Sequence, residues 1–236
     1  MAGYDALRVP NHIGIIPDGN RRWAVAHGVD IYTAYLIGSD KVEDVLEWAL
    51  DNNIQTVTVY VLSYENFINR SEIEKKILYE LLIRKLKKAR EDPRIHDNKV
   101  KVTLIGRWRS LPPYVVDEAI KTMTATESYN SHFLNLAVVY GGYQSIVDMV
   151  NMAIMKVGKL IKDEELVKLL PTGFLPKPFI DLVIRTGGER RLSNFFPLES
   201  IYAELYFLDK YWPDFSREDF QEALRYYASV ERKFGR

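Results

Sequence analysis

The sequence predicts an α/β fold in which a mostly parallel sheet is covered by helices, and three observations carry that expectation. Six short apolar runs rich in β-branched and aromatic residues recur along the chain, several of them apolar on both faces, as strands buried between two layers are. Stretches with apolar residues three and four positions apart lie between these runs, and strands alternating with helices imply βαβ crossover units. No internal repeat, low-complexity tract or linker interrupts the order, so residues 1–236 are read as a single domain.

The first strand is expected at residues 13–16, and a helical pattern follows over 40–51 before a second strand at 57–62. The next helix, 71–91, has the clearest start. Ser71 and Glu74 form an S-x-x-E capping box ahead of Ile73, Ile77, Leu78, Leu81, Leu82 and Leu86. The basic run from Arg84 to Arg90 closes that helix, where cations complement the helix dipole, and reads as a solvated face. A strand at 100–105, a helix at 113–127, a strand at 133–140 and helices at 145–157 and 164–170 come next. A turn-rich connection from Pro171 to Pro178 leads to strands at 182–184 and 204–207, and a last helix covers 216–231 with Ser216 and Asp219 as its cap pair.

Composition narrows the function. With 32 Lys+Arg against 32 Asp+Glu the net charge is zero, which argues against a nucleic-acid coat; any anion site must be a local cluster. The absence of cysteine removes disulfides, thiolate nucleophiles and Cys-based metal sites and fits a reducing compartment. No apolar run approaches the roughly 18 residues that span a bilayer, and the N-terminal sequence lacks the order of a signal peptide, so a cytoplasmic protein is expected. The four histidines include no ligand-spaced pair and read as solvated or satisfied.

In an open α/β sheet, ligands bind beyond the carboxyl ends of the strands. Four segments there are unusually polar: Pro17-Asp18-Gly19-Asn20-Arg21-Arg22-Trp23, Ser63-Tyr64-Glu65-Asn66-Phe67, Arg185-Thr186-Gly187-Gly188-Glu189-Arg190-Arg191-Leu192-Ser193, and the acid Glu204. Singly, each has an ordinary explanation: Asp-Gly-Asn favours turns, Glu189 can pair with a neighbouring arginine, and Glu204 can point out of a sheet edge. Their joint occurrence is less ordinary. Two Gly/Arg loops make two anion pockets, because the arginine fork suits phosphate oxygens, and two pockets imply two phosphorylated substrates. Asp18 and Glu204 then read as oxygen ligands for Mg²⁺ bridging a substrate phosphate. Neither a G-x-x-x-x-G-K-[ST] loop nor a G-x-G-x-x-G fingerprint is present.

The segments HIGIIPDGNRRWA, S-x-E-N at Ser63 to Asn66, DLVIRTGGERRLSNF and IYAELYFLDKYWPDF resemble the cis-prenyltransferase family, of the undecaprenyl and dehydrodolichyl diphosphate synthase type, from about Pro10 to Gly235. The resemblance implies condensation of isopentenyl diphosphate onto an allylic diphosphate primer to give a Z-polyprenyl diphosphate. It also implies six central parallel strands, a hydrophobic tunnel and a homodimer, with peripheral membrane contact for product release. By motif position, Asp18 is the catalytic aspartate and Gly19, Asn20, Arg21, Arg22 and Trp23 belong to the allylic diphosphate loop. Asn66 and Ser63 lie near the proton lost from isopentenyl diphosphate, with Glu65 and Phe67 beside them. Arg70 is a further diphosphate contact; Arg185, Arg191 and Ser193 match the isopentenyl diphosphate pocket; Asp18 and Glu204 match the Mg²⁺ positions. Ile77, Leu81, Leu82, Val115, Ile120 and Met123 are candidates for the tunnel wall or ordinary core.

Three departures from the family pattern stand out: Tyr35 replaces the usual His of G-H-x-x-G, Ile31 an Arg, and Val139-Tyr140-Gly141-Gly142-Tyr143 loses an Asn and an Arg. One extra residue also falls between Phe67 and Arg70. Two other readings remain. A non-catalytic partner subunit tends to lose the first-loop Asp and the R-T-G-G arginine, both kept here, and a phosphohydrolase using Asp18 needs a second Asp where Asn20 stands.

Overall fold

In a computed structural model describing residues 8–156 and 161–231, the alternation of runs becomes an alternation of layers. The chain follows β1 (His12–Ile16), α1 (Asn20–His27), α2 (Ile31–Asp51), β2 (Thr56–Ser63), α3 (Tyr64–Asn69), α4 (Glu72–Glu91), α5 (Pro93–Asp97) and β3 (Val100–Ile105). It continues through α6 (Pro113–Ala125), β4 (His132–Tyr140), α7 (Gly142–Lys156), α8 (Asp163–Leu169), β5 (Leu182–Arg185), β6 (Glu204–Phe207) and α9 (Arg217–Ser229). The expected end of the helix at Val157 and the tail beyond Glu231 lie outside the described residues.

The strands form one six-stranded sheet in the order β3-β4-β2-β1-β5-β6, and every neighbouring pair is parallel. The side-chain period of two divides the interior. Ile13, Ile15, Val57, Val59, Val102, Leu104, Leu134, Leu136, Leu182 and Ile184 face the larger core beneath α2, α4, α6 and α9. Ile16, Tyr60, Ile105, Ala137 and Val183 face a smaller core closed by Phe195 and Phe196. Burial of so many β-branched side chains, each contributing about 1.5–3 kcal/mol, fixes the register.

The caps act as the sequence anticipates. Ser71 Oγ accepts the Glu74 amide at the start of α4 (3.3 Å), and Ser216 with Asp219 makes a reciprocal box at the start of α9. The helix expected from residue 40 begins nine residues earlier, because Asp30 caps it through the Thr33 amide (2.9 Å). Three short helices were not expected: α1 and α3 grow directly out of strand ends, and α5 follows an Asp92 cap with Pro93 in its first turn.

Candidate active site

At the carboxyl end of β1 the chain passes through Pro17 and Asp18 to Gly19, whose φ of +106° only glycine adopts freely. A Cβ there would also lie 2.7 Å from the Tyr211 ring. The turn aims Asp18 across the sheet at the end of β5. Thr186 fastens the two loops: its Oγ1 donates to the Asp18 carbonyl (2.8 Å) and accepts from the Asp18 amide (3.1 Å). Gly187, φ +88°, makes the close approach possible, since a Cβ would stand 2.8 Å from Arg22 Nη2.

The Asp18 carboxylate is shared by two guanidinium groups. Arg185 Nη2 donates to Oδ2 (2.8 Å) and Arg22 Nη2 to Oδ1 (3.1 Å). Arg185 is only 4% exposed; its Nη1 donates to Ser193 Oγ (2.7 Å) and to the Arg191 carbonyl, and its Nε has no partner. A buried guanidinium with a free donor is a seat for an anionic oxygen. Across the cleft, Ser63 caps α3 by accepting the Asn66 amide (3.0 Å), which fixes Asn66 and Glu65, and Asn194 Nδ2 donates to Glu65 Oε1 (2.7 Å).

A second cationic group lies where α2 and α4 begin. Tyr35 is buried and its hydroxyl donates to Glu74 Oε1 (3.5 Å), which also pairs with Arg21 (3.9 Å). Arg70 lies over the Tyr35 ring at 5.3 Å, and its Nε has no partner. Burial raises the Tyr35 phenol above its ordinary pKa, so it stays protonated and donates. From these polar groups one cavity of about 860 Å³ runs down between α2 and α4 against the sheet. Val42 and Leu46 of α2, Leu81 and Leu82 of α4, and Val59 and Leu136 of the sheet line it. A cationic mouth on an apolar throat is the geometry of a site for an amphipathic anion.

A family model of undecaprenyl diphosphate synthases matches residues 16–235. The chain belongs to the undecaprenyl diphosphate synthase family. It is 46% identical to a tritrans,polycis-undecaprenyl-diphosphate synthase (geranylgeranyl-diphosphate specific) of Methanopyrus kandleri, over 97% of this chain and 86% of that relative. A Pyrobaculum aerophilum protein of the same description is 42% identical over 100% of both. The solved lavandulyl diphosphate synthase of Lavandula x intermedia, in complex with dimethylallyl diphosphate, superposes with a TM-score of 0.90 at 31% identity, covering 97% of this chain and 99% of that one. This family member is a prenyltransferase, and its six parallel strands are as the resemblance implied.

Most of the expected site residues meet in this synthase's cavity: Asp18, Gly19, Asn20, Arg21, Arg22, Ser63, Glu65, Asn66, Arg70, Arg185, Arg191 and Ser193 all line it. Three do not. Trp23 turns away to donate to Asp214 Oδ1 (2.7 Å) and to stack on His27 (4.2 Å), and Phe67 packs against the larger core. Glu204 opens β6 in register with Leu182, whereas Asp18 lies beyond Ile16, which registers with Arg185. Three strand steps, about 10 Å, therefore separate the Glu204 backbone from the end of β5 that sets Arg185 beside Asp18. The tunnel expectation also needs revision: Leu81 and Leu82 line the cavity, but Ile77 of the same helix does not, nor do Val115, Ile120 and Met123 of α6, which packs against α4 and β3. Thr186, Asn194 and Glu74, which hold the site together, were passed over, although the first two sit inside the quoted motifs.

The donor set fits Mg²⁺ only in company with a diphosphate. Asp18 presents one carboxylate to the cavity, and among the described residues no group of three acidic or histidine ligands exists. Mg²⁺ is ordinarily held by one or two carboxylates plus substrate phosphates.

Proposed function

We propose that this enzyme condenses isopentenyl diphosphate onto geranylgeranyl diphosphate, giving a Z-polyprenyl diphosphate in a Mg²⁺-dependent reaction. The observation that carries this reading is Asp18, set between Arg185 and Arg22 at the mouth of an apolar cavity. The relatives named as geranylgeranyl-diphosphate specific, at 46% and 42% identity, support the primer. The dimethylallyl diphosphate of the lavandulyl relative supports the allylic diphosphate class.

The reaction breaks the allylic C–O bond, joins the freed carbon to the methylene carbon of isopentenyl diphosphate, and releases a proton and diphosphate. Mg²⁺, when bound, supplies positive charge against the departing diphosphate. Arg21, Arg22 and Asn20 hold the primer diphosphate, and the fixed guanidinium groups stabilise charge as it develops. Arg185, Arg191 and Ser193 orient isopentenyl diphosphate, with Asn66 near the proton it loses. The throat takes up the hydrocarbon, and each CH₂ removed from water contributes about 0.8 kcal/mol. Retention of both Asp18 and Arg185 weighs against a non-catalytic partner subunit.

The functional unit in this reading is a homodimer. Tyr143, Ile146, Val147, Val150 and Ile154 leave an apolar stripe of α7 exposed, which a second copy would cover. No helix among the described residues is long and apolar enough to cross a membrane; a cytoplasmic location with peripheral membrane contact at product release is proposed, supported by Ile68 and Ile73 exposed near the mouth. Incubation of the purified protein with labelled isopentenyl diphosphate and allylic primers of increasing length, with and without Mg²⁺, tests the reading. Mg²⁺-dependent extension of geranylgeranyl diphosphate that Asp18→Ala abolishes supports it; no extension of any primer overturns it.

A further inference from the structure

The turn that carries Asp18 rests on an aromatic ring to which the sequence motifs give no role. Tyr211 lies in the segment after β6, and the backbone is bonded on either side of it: Lys210 offers its carbonyl to the Gly187 amide (2.8 Å), and Trp212 donates its amide to the Asp18 carbonyl (3.0 Å). These two bonds bring the ring to the turn at Gly19. A Cβ on Gly19 would stand 2.7 Å from ring atom Cδ1, so the glycine lets the turn settle onto the ring. The Arg22 guanidinium lies over the same ring, 5.4 Å from its centroid.

Of the two arginines that share Asp18, Arg22 is the one that needs such a seat. Arg185 is 4% exposed and donates to Asp18, Ser193 and the Arg191 carbonyl, so its orientation is fixed from three sides. The Arg22 side chain is 44% exposed, and among the described residues its guanidinium makes one hydrogen bond, from Nη2 to Asp18 Oδ1 (3.1 Å). A long side chain with one tether in water keeps much of its rotamer freedom, and an exposed ion pair holds it weakly. A ring face beneath the guanidinium adds an attraction that survives at exposed sites. Gly187 narrows the space further, since a Cβ there would stand 2.8 Å from Arg22 Nη2. Arg22 is thereby held at the cavity wall, which Tyr211 itself does not line.

We propose that Tyr211 is a positioning residue for the primer: its ring holds the Arg22 guanidinium in the one orientation that both pairs with Asp18 and faces the incoming diphosphate. The inference rests on the prenyl-transfer reading above. The contact is made by the ring and not by the hydroxyl, which sets the test. Steady-state constants with geranylgeranyl diphosphate, isopentenyl diphosphate and Mg²⁺ are measured for wild type, Tyr211→Leu and Tyr211→Phe, with thermal melting in parallel. Tyr211→Leu keeps apolar bulk beside Gly19 but has no π face; it is expected to lower kcat/KM for the primer threefold or more while the KM of isopentenyl diphosphate stays within 1.5-fold of wild type. Tyr211→Phe keeps the face and is expected to restore the wild-type constants. If melting shows that Tyr211→Leu fails to fold, Tyr211→Met, whose unbranched side chain adapts to the same space, decides in its place. A loss below threefold in the folded variant, an equal loss in Tyr211→Phe, or a proportionate rise in the KM of isopentenyl diphosphate would overturn the inference. No product from the wild-type chain would overturn the underlying reading, and the role of Tyr211 with it.

Discussion

Replacing Arg185 by Lys separates the two jobs that its guanidinium performs. In the structure, Nη2 holds the Asp18 carboxylate at 2.8 Å while Nη1, on the other branch of the fork, holds Ser193 Oγ at 2.7 Å. An ammonium reaches one of these at a time and presents no planar fork to a diphosphate. The site is 4% exposed, so solvent does not replace what is lost. One charge-assisted hydrogen bond contributes about 1.5–3 kcal/mol, which at 1.4 kcal/mol per tenfold predicts a loss of roughly 10- to 150-fold in kcat/KM for isopentenyl diphosphate. Positive charge beside Asp18 is retained, so the fold should persist. The assay is initial incorporation of isopentenyl diphosphate at saturating primer, with melting temperature measured in parallel. A kcat/KM within threefold of wild type would refute the reasoning, and a loss confined to the KM of the primer would show that the wrong pocket had been assigned.

Three further outcomes follow from particular contacts. Leu46, on α2 beyond the cationic mouth at Tyr35, lines the throat; Leu46→Trp should obstruct it and shorten the products, at an overpacking cost of about 1–3 kcal/mol in stability, checked by chain-length analysis and thermal melting. Tyr35, where the motif resemblance led to a His being expected, stands beneath Arg70 and against Glu74, so Tyr35→His should change the KM of the primer at least threefold and leave that of isopentenyl diphosphate unaltered; equal constants across several primers would refute this. Burial pushes the Glu199 carboxyl from 4.5 up to about 7 and the His12 imidazole from 6.5 down to about 4. Glu199 therefore makes stability fall as pH rises from 4.5 to 7, while His12 makes it rise from pH 4 to 6.5, each by on the order of 3 kcal/mol. The two oppose each other between about pH 4.5 and 6.5, so the melting temperature of Glu199→Gln should climb across that interval more steeply than that of wild type.

The parts of the fold visible in the sequence are those where burial writes a regular pattern. The runs at 100–105 and 204–207 become β3 and β6 with identical ends, and the Ser71 cap lies where the S-x-x-E spacing placed it. The helices that carry the site were the ones missed. In α1 only Ala24 is buried, and in α3 no residue is, so neither writes an apolar stripe; function, and not packing, chose their residues. Glu204 was read as a Mg²⁺ position from its motif, although the strand expected at 204–207 already set it at that strand's opening, away from the carboxyl ends where ligands gather. Arg70, expected from its motif position, ends α3 as its C-cap and lines the cavity.

Thr186 and Gly187 make the Asp18 loop and the Arg185 loop one mechanical part, and Trp212 extends that part by donating its amide to the Asp18 carbonyl (3.0 Å). Asp18 and Arg185 therefore cannot move apart independently: a change that repositions one drags the other. Tyr35, Arg70 and Glu74 meet through side chains alone, the phenol on the carboxylate and the guanidinium over the ring. A substitution there can reshape that wall of the cavity without moving the joined loops.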